Sequence, residues 1–193
     1  TGERRIGMTW VGDGSAKTGE FYEGMNLAAQ QRVPLIVVIQ NNQVALGTKL
    51  GQHHRGSFAD WPRAFGIEGG VFDGNNVLDA YAATKLAADA CREGRGPVML
   101  IAETFRMGGH ATHDEREARA TFPAEWFVEW GKRDPIGLYE EHLAGIGIAR
   151  ERLAEVEASV ELEIDAAERE ALASRDLGMP APESAARGVF FEG

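Results

Sequence analysis

Asp13 stands between two glycines, and Asn42 follows a second asparagine, with residues 15–40 in between. A carboxylate, an amide oxygen and a backbone carbonyl from the residues after Asn42 form a donor set suited to Mg²⁺. That ion is hard, takes a near-octahedral oxygen shell, and is commonly held by one or two carboxylates together with phosphate oxygens. Gly12 and Gly14 allow a tight turn and a close approach of backbone to a ligand. Gly14 and Ser15 precede a helical pattern, where free N–H groups and the helix dipole favour a phosphate. Taken alone, Gly-Asp-Gly is a common strand-ending turn; Asn41-Asn42 at the end of the next strand gives it more weight. His53, His54 and His113 read as surface loop residues, and His142 as a helix-surface residue.

The elements around these residues can place them together. Residues 6–11 read as a short buried strand. Residues 20–31 read as a helix with Phe21, Met25, Ala28 and Ala29 on one face, stopped before Pro34. Residues 35–39 are a continuous apolar run, as in a strand buried on both faces. Strand, helix, strand at this length predicts a right-handed parallel crossover. Ligands of open parallel sheets bind at the carboxyl ends of strands, and one crossover returns the chain to that edge, so Asp13 and Asn42 converge. Residues 40–58 read as loop, 77–92 as a second helix and 98–103 as a third strand. Residues 105–121 read as a long, aperiodic, charged loop. Two short helices follow at 123–130 and 135–143, then a charged helix at 149–174 with Leu153, Val156, Val160 and Ile164 on one face, and a linker-like break at 178–182. The fold class is α/β, a parallel sheet with flanking helices. Three clear strands are too few for a well-covered sheet, so an N-terminal part is expected to be missing. We place one partial α/β domain at residues 1–147 and a C-terminal helical extension and tail at 148–193.

The whole chain has 193 residues and a formal net charge of −10. Lys and Arg are scattered, which argues against a nucleic-acid partner. Apolar runs such as residues 35–39 fall far short of the roughly 20 residues needed to cross a bilayer. No signal peptide is visible, and a first residue other than Met suggests a start inside a longer polypeptide. One cysteine, Cys91, excludes an intrachain disulfide, fits a reducing cytosol and reads as a packing residue. No glycine-rich run followed by Lys-Ser or Lys-Thr is present, which sets aside a P-loop nucleotide binder.

Gly12-Asp13-Gly14 and Asn41-Asn42 at this separation resemble the thiamine-diphosphate motif. The segment Glu23-Gly24-Met25-Asn26-Leu27-Ala28-Ala29, the Val33-Pro34 pair, the run from Thr104 to Asp114 that contains Arg106 and His110, and Arg133-Asp134-Pro135-Ile136 resemble the alpha subunits of the pyruvate and branched-chain 2-oxoacid dehydrogenases. The likeness runs from about residue 7 to 143. It implies the diphosphate-binding domain of a thiamine-diphosphate enzyme. It implies Mg²⁺ held by the Asp13 and Asn42 side chains and the Val44 carbonyl. It also implies cofactor contacts from Gly12, Gly14, Ser15, Arg106 and His110, with His110 catalytic. Val44 replaces an aromatic common there, Ala111 stands where animal relatives carry a regulatory serine, and Ala118-Arg119 replaces a usual Tyr-Arg pair. The implied reaction is oxidative decarboxylation of a 2-oxoacid by a cytoplasmic heterotetramer, an oxidoreductase acting on an oxo group with a disulfide acceptor. The implied partners are a beta subunit or beta half, which supplies the glutamate for the aminopyrimidine, and a lipoyl-bearing acyltransferase. On that reading this piece alone is inactive. An acetoin-cleaving or other thiamine-diphosphate enzyme subunit and a non-catalytic assembly fragment are the alternatives. Residues 106–119 carry two glycines, six charged side chains and almost no apolar anchor, so they are expected to be mobile until cofactor orders them.

Overall fold

The structure, a computed structural model, describes residues 5–178 and 180–187. Residues 1–4, on which part of the signal-peptide reading rests, and Met179 of the linker-like break lie outside the described residues. The chain divides into two compact units, Thr1–Tyr139 and Glu140–Gly193.

In the first unit, β1 (Gly7–Gly12) and β2 (Leu35–Asn41) pair in parallel, with Gly7 opposite Leu35 and Gly12 opposite Gln40. The crossover is α1 (Gly19–Gln31), which buries Met25 and Ala28 and ends where Arg32 takes a left-handed conformation ahead of Pro34. A short hairpin follows, β3 (Val44–Ala45) with β4 (Thr48–Lys49), then α2 (Leu50–His53) and α3 (Trp61–Phe65). β5 (Glu68–Asp73) leads into α4 (Val77–Arg92), whose first turn is capped by the Asn76 side chain. β6 (Val98–Glu103) then inserts between β2 and β5, giving the all-parallel order β1-β2-β6-β5.

Alternation along the two central strands makes two apolar layers. Ile36, Val38, Val98, Leu100 and Ala102 pack with Ala87, Ala88 and Cys91 of α4. Val37, Ile39, Met99 and Ile101 pack on the other face with Met25, Ala16 and Phe58. Each of the larger aliphatic side chains, Val, Leu, Ile or Met, fully withdrawn from water contributes about 1.5–3 kcal/mol, so β2 and β6 form the centre of the domain's core. Their carboxyl ends are held together as well: the Asn41 amide donates to both carboxylate oxygens of Glu103, at 3.0 and 2.9 Å.

The rest of the unit is helical: α5 (Glu115–Thr121), α6 (Ala124–Gly131) and the start of α7 (Pro135–Gly145). Phe105 and Phe122 join Val44 in a third buried cluster, flanked by Phe127 and Trp130. The second unit contains α8 (Arg150–Leu177), on which Val156, Val160 and Ile164 are exposed. No helix among the described residues is long and apolar enough to cross a membrane.

Three expectations change. The sheet has a fourth strand, β5, at its edge; Gly69 and Gly70 and an exposed outer half conceal it in the sequence. Within residues 40–58, expected as loop, lie the end of β2, the β3–β4 hairpin and the helical turn α2. The last seven residues of the stretch expected as loop at 105–121 form the helix α5, seated by buried Ala118.

Candidate active site at the carboxyl edge of the sheet

The ladder between β1 and β2 runs one residue past the strand end, where the Asp13 N–H donates to the Gln40 carbonyl at 3.3 Å. That bond fixes Asp13 beside the end of β2. Asp13 is only 1% exposed. Its Oδ1 accepts the Gly14 N–H at 3.0 Å, while Oδ2 is buried without a hydrogen-bond partner. Burial pushes the Asp13 carboxyl above the ordinary carboxylate range, against the opposing pull of the Gly14 N–H and of His53. A carboxylate in that state is under-satisfied, and a buried group left so costs about 1–3 kcal/mol or more.

Asn42 occupies the matching position after β2. Its Oδ1 accepts the Val44 N–H at 3.4 Å, a long contact that leaves most of the oxygen's capacity open. The hairpin then turns through two left-handed non-glycine residues, Gln43 (φ 75°) and Leu46 (φ 53°). It lies directly on the glycine turn: a Cβ on Gly14 would stand 2.5 Å from the Ala45 Cβ. Glycine is therefore required at position 14 by the approach of this hairpin. At Gly12 no protein atom lies within 4 Å of the same construction, so its open side faces the cavity.

These segments enclose a cavity of about 550 Å³ lined by Gly12, Asp13, Gly14, Ser15, Asn42, Val44 and His110. All the residues expected to bind cofactor or metal meet here except Arg106. Arg106 does not line the cavity; its Nη2 donates to the carbonyl of Leu46, which does, at 2.7 Å, and its Nε to the Gly108 carbonyl at 3.1 Å. Its Nη1 is buried and unpartnered. The Gly14 N–H, expected to face a phosphate, points instead at Asp13.

Lys17, His53 and His54 were not expected in the site. α2 carries His53 back over the glycine turn, so that its Nε2 stands 3.7 Å from Asp13 Oδ2. His53 lines the cavity, and neither ring nitrogen has a hydrogen-bond partner. His54 stacks on Phe58 with ring centroids 4.1 Å apart and contacts Lys17 Nζ through Nδ1. Both were read as surface loop residues; the hairpin folds them inward, and burial lowers the pKa of His54. Lys17 also lines the cavity, with its ammonium 4.4 Å from the centroid of Trp61 and 4.8 Å from that of Phe58. Burial depresses its pKa too, partly offset by Asp13. The sole sequence hint for Lys17 was its place just after Ser15, at the same edge as Asp13.

His110 reaches the cavity from a rim whose polar groups satisfy one another. Asp114 accepts the N–H groups of His110 at 3.1 Å and Ala111 at 2.8 Å, and Glu115 accepts that of Gly109 at 2.6 Å. These backbone donors hold the Asp114 carboxyl below its ordinary value. Arg119, in α5, pairs with Glu115 at 2.8 Å. His113 is exposed, as expected.

A larger cavity of about 650 Å³ lies under β5 and α4, lined largely by apolar residues such as Val71, Ala83 and Leu86. Of its charged lining residues Arg63, Glu68 and Asp79, Glu68 is paired with Arg95 and Asp79 accepts the Asp73 N–H at 2.7 Å. Among the described residues, no group of three or more His, Cys, Asp or Glu side chains is placed to hold a metal. Any cation at Asp13 therefore needs amide, carbonyl or ligand oxygens to complete its shell.

An open parallel α/β sheet with its polar cavity at the strand carboxyl ends belongs to the class of ligand-binding domains built at that edge. The family model of the dehydrogenase E1 component matches residues 1–179, and the chain belongs to that family. It is 40% identical over 138 residues to the pyruvate dehydrogenase E1 component subunit alpha of Acholeplasma laidlawii, covering 71% of this chain and 40% of that protein. With the Porphyra purpurea protein of the same description it shares 33% identity over 169 residues, covering 85% of this chain and 47% of that one. The chain thus spans less than half the length of these relatives. Among solved structures, transketolase from Campylobacter jejuni is similar at 17% identity and a TM-score of 0.48, covering 78% of this chain and 28% of that one. The family model and the two alpha-subunit relatives bear out the resemblance to 2-oxoacid dehydrogenase alpha subunits.

Proposed function

We propose that this chain holds the metal–diphosphate end of thiamine diphosphate in the alpha part of a 2-oxoacid dehydrogenase. The observation that carries the reading is Asp13 Oδ2, buried without a partner in a cavity shared with Asn42 and Val44. An orphaned carboxylate oxygen beside an amide oxygen fits a hard divalent cation, with phosphate oxygens of the cofactor completing the shell. Asp13, Asn42 and the Val44 carbonyl would hold Mg²⁺; Gly12, Gly14 and Ser15 would let the diphosphate approach. Lys17 adds a cation to the same wall, and Arg106 fixes the loop that presents His110. Bound thiamine diphosphate supplies the electron sink for cleaving the bond next to the substrate's oxo group.

The chain's own groups supply binding, orientation and exclusion of water. His110, which lines the same cavity, would exchange a proton or hydrogen bond with the reacting groups. In the complete enzyme the acyl product passes to a lipoyl-bearing acyltransferase, and a beta subunit or beta half supplies the other wall, in a cytoplasmic heterotetramer. Residues 1–147 form the cofactor domain on this reading, 148–193 an extension, and the isolated chain does not turn over a 2-oxoacid.

Calorimetry on the complete alpha–beta enzyme tests the reading. Asp13→Ala should weaken Mg²⁺-dependent thiamine diphosphate binding at least a hundredfold; unchanged affinity would refute the assignment. Turnover of acetoin in place of any 2-oxoacid would move the chain to a neighbouring activity on the same site.

A further inference from the structure

We infer that Lys17 leaves its resting place against Trp61 and Phe58 to bind the diphosphate, and that its ammonium completes the positive charge this end of the cofactor requires. The inference rests on the proposed cofactor site and adds a binding residue that neither the glycine turn nor Asn42 includes.

The backbone delivers Lys17 to the cavity. One 3-10 turn, Ser15–Lys17, follows the glycine turn, and the Lys17 N–H donates to the Gly14 carbonyl at 3.0 Å. Ala16 is fully buried in the apolar layer that holds Met25 and Phe58. The turn is thus anchored, while Ser15 and Lys17 on either side of Ala16 line the cavity. Lys17 is the one lysine or arginine among the described residues of that lining. Arg106, the cation expected here from the sequence, is engaged with the Leu46 and Gly108 carbonyls.

The resting contacts of Lys17 leave its charge uncancelled. Its ammonium lies over the rings of Trp61 and Phe58 and touches His54 Nδ1. An ammonium can only donate, so Nδ1 is the acceptor and His54 is neutral, with its proton on Nε2. Neither the rings nor a neutral imidazole carries a formal negative charge, and among the described residues no carboxylate is paired with Lys17. Of the three N–H donors of an ammonium, His54 takes one. The others are left for oxygens of a ligand, in charge-assisted bonds roughly twice as strong as neutral ones.

The charge at the site has room for this cation. Asp13 offsets half of a divalent ion, which leaves a single net positive charge. One phosphate ester already carries about −1.5 to −2 near neutral pH, and a diphosphate carries more. Lys17 is the cavity residue able to make up the difference.

Amine-selective labelling of the complete alpha–beta enzyme, read at Lys17 by mass spectrometry, is the direct test. Thiamine diphosphate with Mg²⁺ should slow labelling of Lys17 at least tenfold, and thiamine at the same concentration should leave it unchanged. Calorimetry should show Mg²⁺-dependent thiamine diphosphate binding weakened about ten- to a hundredfold in Lys17→Met, the scale of a lost hydrogen bond to a charged group. Equal labelling with and without the diphosphate overturns the inference whether or not the variant folds, and so does unchanged affinity in Lys17→Met. If Asp13→Ala abolishes Mg²⁺-dependent binding while Lys17 of the wild type is labelled equally in both states, Lys17 alone is misassigned. If the wild type binds no thiamine diphosphate, the proposed cofactor site itself is wrong.

Discussion

The floor and the rim of the cavity handle their polar groups in opposite ways. On the floor, Asp13 Oδ2 and both nitrogens of His53 are buried with no hydrogen-bond partner, Nε2 and Oδ2 facing each other at 3.7 Å. On the rim, the N–H groups of Gly109, His110 and Ala111 all donate to the carboxylates of Asp114 and Glu115. Buried polar groups are nearly always paired, so a cluster of exceptions marks where something outside the chain completes the set. These backbone N–H groups of the rim are satisfied within the chain, an arrangement that holds the His110 backbone in place. The floor should therefore control affinity and the rim turnover.

The largest test of that division is His110→Ala. Turnover by the complete enzyme should fall about a hundredfold, the scale of a lost proton-transfer group, with the dissociation constant of thiamine diphosphate changed less than threefold. Equal losses in both would merge the two regions into one. Gly14→Ala probes the floor without touching a charge. The new Cβ meets the Ala45 Cβ at 2.5 Å, and the strain of about 1–3 kcal/mol should lift the hairpin and weaken cofactor binding about tenfold. Ala45→Gly in the same chain should restore most of the affinity. A double variant as weak as the single one would show that the hairpin contact is not the reason for glycine here.

The smallest effect belongs to the rim. Asp114→Ala frees two N–H groups, so amide exchange at His110 and Ala111 should quicken several-fold while Asp13-dependent metal binding persists. The pH dependence has a definite sign. The folded pKa of Asp114 is depressed below 3.8, so its contribution is present above that value and lost as pH falls through the lower folded one. Exchange at the two amides should thus accelerate only below about pH 3.8 in the wild type and be insensitive to that titration in the variant.

The sequence was legible where local pattern and final environment agree. β2 announces itself because Ile36 to Ile39 are apolar on both faces and bury both, and Asp13 and Asn42 are legible because they terminate the two strands of one crossover. β5 was not legible: four of its six residues are exposed and two are glycine, so neither alternation nor an apolar run survives. α5 was hidden by its charge, since one buried alanine seats it. The rim was expected to be a mobile, unanchored loop; its anchors are hydrogen bonds from backbone to Asp114 and Glu115, which apolar counting does not register. His53 was read as surface because its place depends on left-handed turns at Gln43 and Leu46. Neither residue type signals such a turn.

The strand order has a kinetic consequence. β1 and β2 are joined by a single helix, so their pairing closes a short stretch of chain and already brings Asp13 beside the end of β2. β6 must then enter next to β2 from much further along, and the Asn41–Glu103 bond joins residues 62 apart. Contacts of high sequence separation form slowly, because chain entropy is lost before they are made. The glycine turn and Asn42 therefore belong to an early-forming unit. The Asn41–Glu103 clamp, and the start of the loop that carries His110, assemble only when β6 docks. A refolding experiment that follows Trp10 on β1 and Trp130 beside Phe105 should see the first report ahead of the second.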